Sequence, residues 1–499
     1  MANAKPAGKS LLEMGLTANA GMVDADPQIL GICVDSRKTN AGDLFVAMCG
    51  VNGHGGEFIQ YALRMDAAAV LTDAAGLEIA KRNVAKLDVP FIISDDPRLD
   101  LAHAAARFYA KQPATMTAVT GTNGKTSVAN FTRQIWENLG KQATNFGTAG
   151  VEGAYTAPLS HTTPEPVTLH KLLAELSDAG ITHASMEASS HGLDQRRLDG
   201  VYLTAAGFTN FTQDHLDYHE TFEAYFDAKA GLFTRVLPPE GSAVINMDDP
   251  RGVDIKSLAE ARGQDVITIG SNDCDITILN SRFDATGQDV RFSWRGDVRT
   301  VRLSLIGGFQ AQNVMMAAGL VIASGEQAKD VFDTLAEMRT VSGRMELAAT
   351  RQNGAPVFVD YAHTPDAVET ALRAMRPHIM GRLIVVLGAG GDRDTSKRKL
   401  MGAAAAENAD VVFVTDDNPR SEDPASIREM VMQGCPDANN VGDRAQAILR
   451  GIDALQPGDA LLIAGKGHET GQTIGNDVLP FNDVEQASVA VAALDGMGA

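Results

Sequence analysis

A glycine-rich hexapeptide in the first third of the chain has the composition of a phosphate-binding loop. Residues 121–126 read Gly-Thr-Asn-Gly-Lys-Thr, between an apolar run at 117–120 and a helical pattern that begins at Ser127. Glycines let backbone N–H groups approach phosphate oxygens, a lysine adds a positive charge, and a threonine hydroxyl can bind Mg²⁺. This order predicts that ATP or GTP is bound by Gly121, Thr122, Asn123, Gly124, Lys125, Thr126 and Ser127.

The loop departs from the strict GxxxxGK[ST] pattern, because Val119 stands where that pattern has its first glycine. A glycine turn with an incidental Lys-Thr pair is therefore the alternative. Two further polar residues, Glu187 and His215, each follow an apolar run that is typical of a strand. The carboxyl ends of parallel strands meet at one edge of a sheet, so both side chains could join Thr126 as Mg²⁺ ligands there. A surface carboxylate and a loop histidine are the alternatives.

The elements that must position these residues form an alternating pattern along the chain. Short β-branched apolar runs, such as Leu383 to Leu387 and Val411 to Val414, alternate with longer helical patterns. One of these helices has a capping Thr364, then Pro365, and an apolar face, and we expect it to end near Pro377. The pattern predicts an α/β protein with mainly parallel sheets covered by helices.

Length and composition limit the class of protein. A chain of 499 residues exceeds one hydrophobic core, and no apolar run approaches the roughly 20 residues that cross a bilayer. We therefore expect a cytoplasmic protein without membrane insertion. Its four cysteines are far apart, which excludes a disulfide framework, and the net charge of −20 argues against nucleic acid as a partner.

Two stretches are typical of linkers and divide the chain into three predicted domains. The first ends near Asp95-Asp96-Pro97, and the second lies at Ser342-Gly343-Arg344. The prediction is an N-terminal domain at 1–97, a central nucleotide-binding domain at 98–340 and a C-terminal domain at 341–499.

Several motifs occur in a fixed order over nearly the whole chain, and together they resemble the Mur ligase and folylpolyglutamate synthetase superfamily. Besides GTNGKT they are Asp35-Ser36-Arg37, MEASSH at 186–191, NFTQDHLDYH at 210–219, GRME at 343–346, DYAHTP at 360–365, GGDRD at 390–394, DNPR at 417–420 and GKGHE at 465–469. One element differs from the family's GxFNxxN, because it reads GFQAQN at 308–313. The YAHTPD, DNPR and GKGHE stretches resemble the branch that adds the third residue of the peptide.

The resemblance implies a UDP-binding domain, an ATPase domain and a Rossmann-like domain that closes over an amino acid. It implies a cytoplasmic, ATP-dependent ligase of peptidoglycan precursor synthesis. Such an enzyme joins the D-Glu γ-carboxylate of UDP-N-acetylmuramoyl-L-alanyl-D-glutamate to the amine of meso-diaminopimelate through an acyl phosphate. Two anions must meet in this reaction, so Mg²⁺ and positioned Lys and Arg side chains are needed to offset their repulsion.

The resemblance also assigns roles to single residues. Lys125, Glu187, His215 and Lys229 are implied to be catalytic, with Lys229 carbamylated (N6-carboxylysine) as a further Mg²⁺ ligand; a solvated surface lysine is the ordinary alternative for Lys229. Asn313, Arg344 and Asp360 are implied to face ATP. The UDP-linked substrate is implied to contact Ser36, Thr162, Thr163, Ser189, Gln195 and Arg197.

The amino-acid pocket is implied to contain Arg393, Asp417, Asn418, Pro419, Arg420, Gly465 and Glu469. Diaminopimelate has a second carboxylate that lysine lacks, and the Arg420 guanidinium can bind it with two parallel hydrogen bonds. The alternatives are the L-lysine-adding ligase, another Mur or folylpolyglutamate-type ligase, or a nucleotide-dependent switch protein.

Overall fold

The computed structural model describes residues 8–50, 53–214 and 218–496. Three main β-sheets of five, ten and six strands follow one another along the chain. Helices cover both faces of the two larger sheets, where buried apolar residues form a core on each face. The predicted α/β class with mainly parallel sheets is confirmed.

The first region contains the five-stranded sheet in the order β2-β9-β8-β5-β4, with β2 antiparallel to its neighbour and the others parallel. Its elements are β1 Lys9–Ser10, β2 Ala20–Gly21, β3 Gln28–Ile29, β4 Gly31–Cys33, β5 Asp43–Ala47, β6 Cys49–Gly50, β7 Gly53–His54, α1 Ile59–Arg64, β8 Ala69–Thr72, α2 Ala74–Asn83, β9 Pro90–Ile93 and α3 Pro97–Tyr109. Helix α3 packs Leu101 and Phe108 into the core of this region. The boundary after residue 97 stays a prediction.

The second region contains the ten-stranded sheet, β12-β11-β13-β10-β14-β15-β16-β17-β18-β19, whose strands from β11 to β17 are parallel. Its elements are β10 Thr115–Thr120, α4 Lys125–Asn138, β11 Ala143–Gly147, β12 Gly150–Gly153, α5 Pro166–Asp178, β13 His183–Glu187, α6 Ser190–Asp194, β14 Ala205–Phe208, α7 Phe222–Gly231, β15 Ser242–Asn246, α8 Gly252–Ala261, β16 Asp265–Gly270, β17 Ile276–Asp284, β18 Gly287–Trp294, β19 Asp297–Leu303, α9 Phe309–Ala323 and α10 Ala328–Thr334.

The third region contains the six-stranded sheet, β20-β21-β25-β22-β23-β24, in which β20 alone is antiparallel to its neighbour. Its elements are β20 Glu346–Thr350, β21 Pro356–Asp360, α11 Pro365–Met375, β22 Leu383–Leu387, α12 Ser396–Asn408, β23 Val411–Val414, α13 Pro424–Met432, β24 Asn439–Asn440, α14 Arg444–Asp453, β25 Ala460–Ala464, β26 Gly471–Ile474, β27 Asp477–Pro480 and α15 Asp483–Leu494.

Helix α11 forms as its sequence predicts. The Thr364 hydroxyl accepts a hydrogen bond from the Ala367 N–H, Pro365 is the first helical residue, and the apolar face is buried. The helix ends at Met375, just before the predicted Pro377. Among the described helices, none has both the length and the apolar character of a bilayer span.

Candidate active site

The phosphate loop lies at the carboxyl end of β10, near the middle of the ten-stranded sheet. The predicted order of strand, loop and helix is confirmed, although α4 begins at Lys125 and not at Ser127. Gly121 and Gly124 have φ values of +145° and +87°, a region that favours glycine. Gly124 also lies close to Asn313, whose Oδ1 would be 2.7 Å from an added Cβ. The loop therefore requires glycine at both positions.

A second loop, which follows β14, is hydrogen-bonded to the phosphate loop. Asn210 accepts a hydrogen bond from the Asn123 N–H at 2.8 Å, and the Thr209 hydroxyl donates to the Asn123 carbonyl at 2.6 Å. Lys125 folds back over the turn, because its Nζ donates to the carbonyls of Gly121 and Thr122 at 2.9 and 2.8 Å. Burial lowers the pKa of Lys125 below its usual value.

Glu187 and Lys229 are buried beside this loop, and they are 2% and 1% exposed. Glu187 is the last residue of β13, as predicted, and its carboxylate accepts hydrogen bonds from the N–H and the hydroxyl of Thr148 at 2.8 and 3.3 Å. Lys229 lies on α7, where its Nζ donates to the Gly121 carbonyl at 2.7 Å and packs 4.5 Å from the centre of the Tyr225 ring. Burial, and then the neighbouring Lys125 charge, lower the pKa of Lys229 well below its usual value. His215 lies outside the described residues.

The residues predicted to face ATP from the third region meet the phosphate loop. Arg344 donates from Nη2 to the Thr126 hydroxyl at 2.9 Å, and its Nε has no hydrogen-bond partner within the described part of the chain. Asp360 is buried, and its two carboxylate oxygens accept from the N–H groups of Met345 and Ala362, both at 2.8 Å. Asp360 thus holds the backbone segment that carries Arg344.

Most residues predicted for the UDP-linked substrate form one hydrogen-bond network. The hydroxyls of Thr163 and Ser189 are hydrogen-bonded to each other at 3.0 Å. Arg197 donates to the Thr163 carbonyl at 2.6 Å and to the side-chain oxygen of Gln195 at 2.8 Å. The Thr162 hydroxyl lies 3.0 Å from that of Thr148, next to Glu187. Ser36 lies apart from this network, at the start of a short 3₁₀ helix in the first region.

The predicted amino-acid pocket lies at the carboxyl end of the six-stranded sheet. Asn418 is fully oriented by its neighbours, since its Oδ1 accepts from Lys466 Nζ at 3.1 Å and the Thr473 N–H at 2.9 Å, while its Nδ2 donates to Glu469 at 2.9 Å. Arg420 has a φ of +51° and donates from Nη1 to the Gly391 carbonyl at 2.7 Å. The β26–β27 hairpin fixes the Arg420 backbone through two further hydrogen bonds.

One cavity of about 870 Å³ joins these groups. It is lined by residues 122–127 and by the ionisable side chains of Glu187, Lys229, Arg344 and Asp360. The other predicted residues that line it are Thr162, Thr163, Ser189, Arg197, Asn313, Arg393, Asp417, Asn418, Arg420, Gly465 and Glu469. Of the predicted residues that the structure describes, four do not line it, namely Gly121, Ser36, Gln195 and Pro419. A nucleotide and two further polar substrates could therefore meet in one space.

Sequence reasoning missed several residues of this site. Asp366, at the start of α11, accepts from the Asn123 side chain at 2.9 Å and from the Thr212 hydroxyl at 3.2 Å. Thr148 and Lys466 orient the carboxylates of Glu187 and Glu469. The GKGHE motif contains Lys466, but only the fold shows that this lysine is fully buried. Gln310, where the family pattern has Asn, is also buried and accepts from Asn313 at 3.3 Å.

Comparisons with known proteins give consistent matches over most of the chain. Residues 28–109 match the model described as Mur ligase family, catalytic domain; residues 119–321 match the Mur ligase middle domain; and residues 343–467 match the Mur ligase, glutamate ligase domain.

Two similar relatives are both called UDP-N-acetylmuramoyl-L-alanyl-D-glutamate–2,6-diaminopimelate ligase. The protein of Chelativorans sp. (strain BNC1) is 47% identical, and the match covers 95% of this chain and 96% of the relative. The protein of Caulobacter vibrioides is 46% identical, and the match covers 94% of this chain and 97% of the relative. A solved structure of a ligase with the same name is 30% identical, with a TM-score of 0.70, and covers 98% of this chain and 99% of its own. The MurF ligase of Thermotoga maritima in complex with ADP shares the fold at 18% identity, with a TM-score of 0.61 and coverage of 94% and 98%.

Proposed function

The chain belongs to the Mur ligase family, and from this premise we propose that it joins meso-diaminopimelate to UDP-N-acetylmuramoyl-L-alanyl-D-glutamate, with ATP as co-substrate. The single observation that carries the proposal is the shared cavity, in which the phosphate loop, Glu187 and Arg420 face the same space. The relatives at 46–47% identity are named for the same two substrates. The proposed compartment is the cytoplasm, and the proposed domains are residues 1–97, 98–340 and 341–499.

The reaction needs an activated carboxylate, because a carboxylate oxygen is a poor leaving group. The terminal phosphoryl group of ATP is transferred to the D-Glu γ-carboxylate, the diaminopimelate amine attacks the resulting acyl phosphate, and phosphate leaves. In this proposal the loop N–H groups at 121–126 and Lys125 hold the ATP phosphates, and Arg344 approaches the same phosphates from the third region. Thr163, Ser189 and Arg197 hold the UDP-linked substrate.

The donor set beside the loop fits Mg²⁺, which prefers oxygen ligands. Thr126 and Glu187 offer oxygens that are at least nine-tenths buried and line the cavity. Lys229 joins this set as a carbamate in our proposal, together with His215. Burial lowers the pKa of Lys229 and so favours its neutral amine, which attacks CO₂. A new N–C bond forms, one C=O π bond of CO₂ opens to give the carboxylate, and the amine loses one proton. Bound Mg²⁺ would offset the repulsion between the triphosphate and the carboxylate.

The proposal is tested by incubating the protein with ATP, Mg²⁺ and the UDP-muramoyl-dipeptide, with and without diaminopimelate. We expect phosphate release that depends on the amino acid, and a product heavier than the dipeptide substrate by one diaminopimelate residue. Phosphate release without that dependence would instead support a nucleotide-dependent switch, and no release with all substrates present would contradict the proposal.

Arg420 separates the proposed substrate from lysine. Nη1 is occupied by the Gly391 carbonyl, so the remaining N–H groups of the guanidinium can bind the distal carboxylate. We predict that Arg420→Ala lowers kcat/KM for diaminopimelate by about 30-fold, as expected when a hydrogen bond to a charged group is lost. Turnover with lysine should not fall. Arg373→Ala, which removes an exposed arginine of α11, is the control. Equal turnover of diaminopimelate by Arg420→Ala and the native protein would exclude this role.

A further inference from the structure

Arg444 and Asp483 form a fully buried ion pair close to the proposed amino-acid pocket. Both side chains are 0% exposed, and Arg444 donates to the two oxygens of Asp483 at 2.8 and 2.7 Å. The residues are the first of α14 and α15, respectively. Neither lines the cavity, so neither touches the proposed substrates.

Fold stability alone does not account for this pair. The desolvation of two charges cancels much of their attraction, and apolar residues of similar volume often replace a buried ion pair without loss of stability. The helix dipole opposes Arg444 at the first position of α14 but favours the Asp483 carboxylate at the first position of α15, so it adds little net stability to the pair. A geometric role of the guanidinium accounts for this pair better than stability does.

The Arg444 guanidinium contacts the backbone at the start of two loops of the pocket. Nη2 donates to the Ala464 carbonyl at 3.0 Å, and Nη1 reaches the Asp416 carbonyl at 3.5 Å. Each carbonyl belongs to the residue immediately before a proposed pocket residue, Gly465 or Asp417. The loops follow β25 and β23, which lie on opposite sides of β22, so one side chain links loops that are not adjacent in the sheet.

The two linked loops approach each other closely. A Cβ at Gly465 would lie 2.5 Å from the Asp417 carboxylate, so little separation remains between them. A shift of either loop would therefore move the groups that are proposed to bind the distal ammonium and carboxylate of the amino acid. We infer that Arg444, oriented by Asp483, is a positioning residue that sets the separation of the Asp417 and Gly465 loops and thereby the affinity for the amino-acid substrate. This inference rests on the proposed function.

The test uses a paired replacement that leaves no unpaired buried charge. Arg444→Met with Asp483→Leu should raise KM for diaminopimelate about tenfold, because misplaced binding groups lose their contacts. KM for ATP and for the UDP-muramoyl-dipeptide should stay within about twofold, since their proposed contacts lie on other loops. The matched control is Arg351→Met with Asp495→Leu, which removes another paired arginine of the same region that donates to the Ile452 carbonyl. It should leave all three KM values unchanged.

A conservative variant tells a geometric role from a structural one. Arg444→Lys lacks the planar fork that reaches both carbonyls, so KM for diaminopimelate should still rise. The rise should be smaller than in the paired replacement, because the lysine keeps the charge beside Asp483 and can donate to one of the two carbonyls. Thermal melting shows whether the paired replacement folds. If it does not, the three KM values of Arg444→Lys test the positioning role instead. Unchanged KM for diaminopimelate in a folded variant, or an equal rise in all three KM values, would overturn the inference. Failure of the proposed function would instead appear in the native protein, as absent amino-acid-dependent phosphate release.

Discussion

Lys229 combines almost complete burial with a lowered pKa beside the phosphate loop. We predict that Lys229→Ala lowers kcat by about 100-fold or more, because the variant can carry no carbamate to stabilise charge in the transition state. The native enzyme should also lose activity in buffer depleted of CO₂ and regain it when bicarbonate is added. Lys256→Ala, on the surface of α8, is the control. Full activity of Lys229→Ala, or native activity that does not respond to the removal and return of CO₂, would refute carbamylation.

His170 makes a separate prediction about stability. Burial, and then the His103 charge, lower the pKa of His170 to about 4 from 6.5, and its Nε2 has no hydrogen-bond partner among the described residues. The unfolded chain therefore binds a proton below pH 6.5 that the folded chain resists until about pH 4. The stability contributed by neutral His170 is complete above pH 6.5 and is lost as the pH falls through this window, by about 3 kcal/mol.

The measurement for His170 is the free energy of unfolding in urea at several pH values. His170→Gln cannot titrate in this range, so its stability should fall less than that of the native protein between pH 6.5 and 4. Other buried histidines, such as His363, contribute to both curves, and the difference between the curves isolates His170. Parallel curves would contradict the prediction.

Among the elements, the paired strands β11 and β13 position the proposed metal ligand Glu187. Phe146 lies opposite Met186, so Gly147 follows at the end of β11 beside Glu187, and a Cβ at Gly147 would be 2.1 Å from Oε1 of that carboxylate. We predict that Gly147→Ala displaces the carboxylate and lowers kcat by about tenfold or more, since small misplacements of catalytic groups are costly.

Thermal melting and Mg²⁺ titration of activity check this prediction. The variant should need a higher Mg²⁺ concentration for half-maximal activity. Gly140→Ala serves as the control for backbone strain alone, because Gly140 has open space around it and a φ of +78°, whereas Gly147 has no positive φ. An unchanged Mg²⁺ dependence in Gly147→Ala would show that the carboxylate tolerates the shift.

Across the whole molecule, a few contacts join the second and third regions around the nucleotide site. Asp366 of α11 contacts Asn123 and Thr212, Arg344 contacts Thr126, and His378 accepts from the Gly307 N–H at 3.1 Å. These contacts favour the closed arrangement in which both regions face one cavity. Weakening them lowers the fraction of molecules that are ready to bind ATP, and the apparent affinity falls in proportion.

We therefore predict that Asp366→Ala raises KM for ATP by about tenfold, as expected for the loss of hydrogen bonds to a charged group. KM for diaminopimelate should change less. Glu369→Ala is a matched control on the same helix, because Glu369 is paired with the exposed Arg373. If both variants have the native KM for ATP, the contact of α11 with the phosphate loop does not contribute to closure.

The sequence by itself determined the elements and the chemistry that they carry. The strand before Gly121, the capped helix after Thr364 and the strand that ends at Glu187 all form where local pattern predicts them. Such features depend on residues close in the chain, through periodicity, capping and glycine conformation. The order of the motifs also sufficed for the family, which the comparisons confirm.

Only the tertiary structure decided which of these residues share a space and which partners orient them. Asp366 is more than 200 residues from the phosphate loop in sequence but contacts it, and Arg444 links two loops that the chain separates by α13, β24, α14 and β25. Burial of Lys466, which leads to its pairing with Glu469, follows from packing by distant elements, and so does the burial that lowers the pKa of His170. Long-range contacts and desolvation depend on the whole fold, and a local sequence pattern does not contain them.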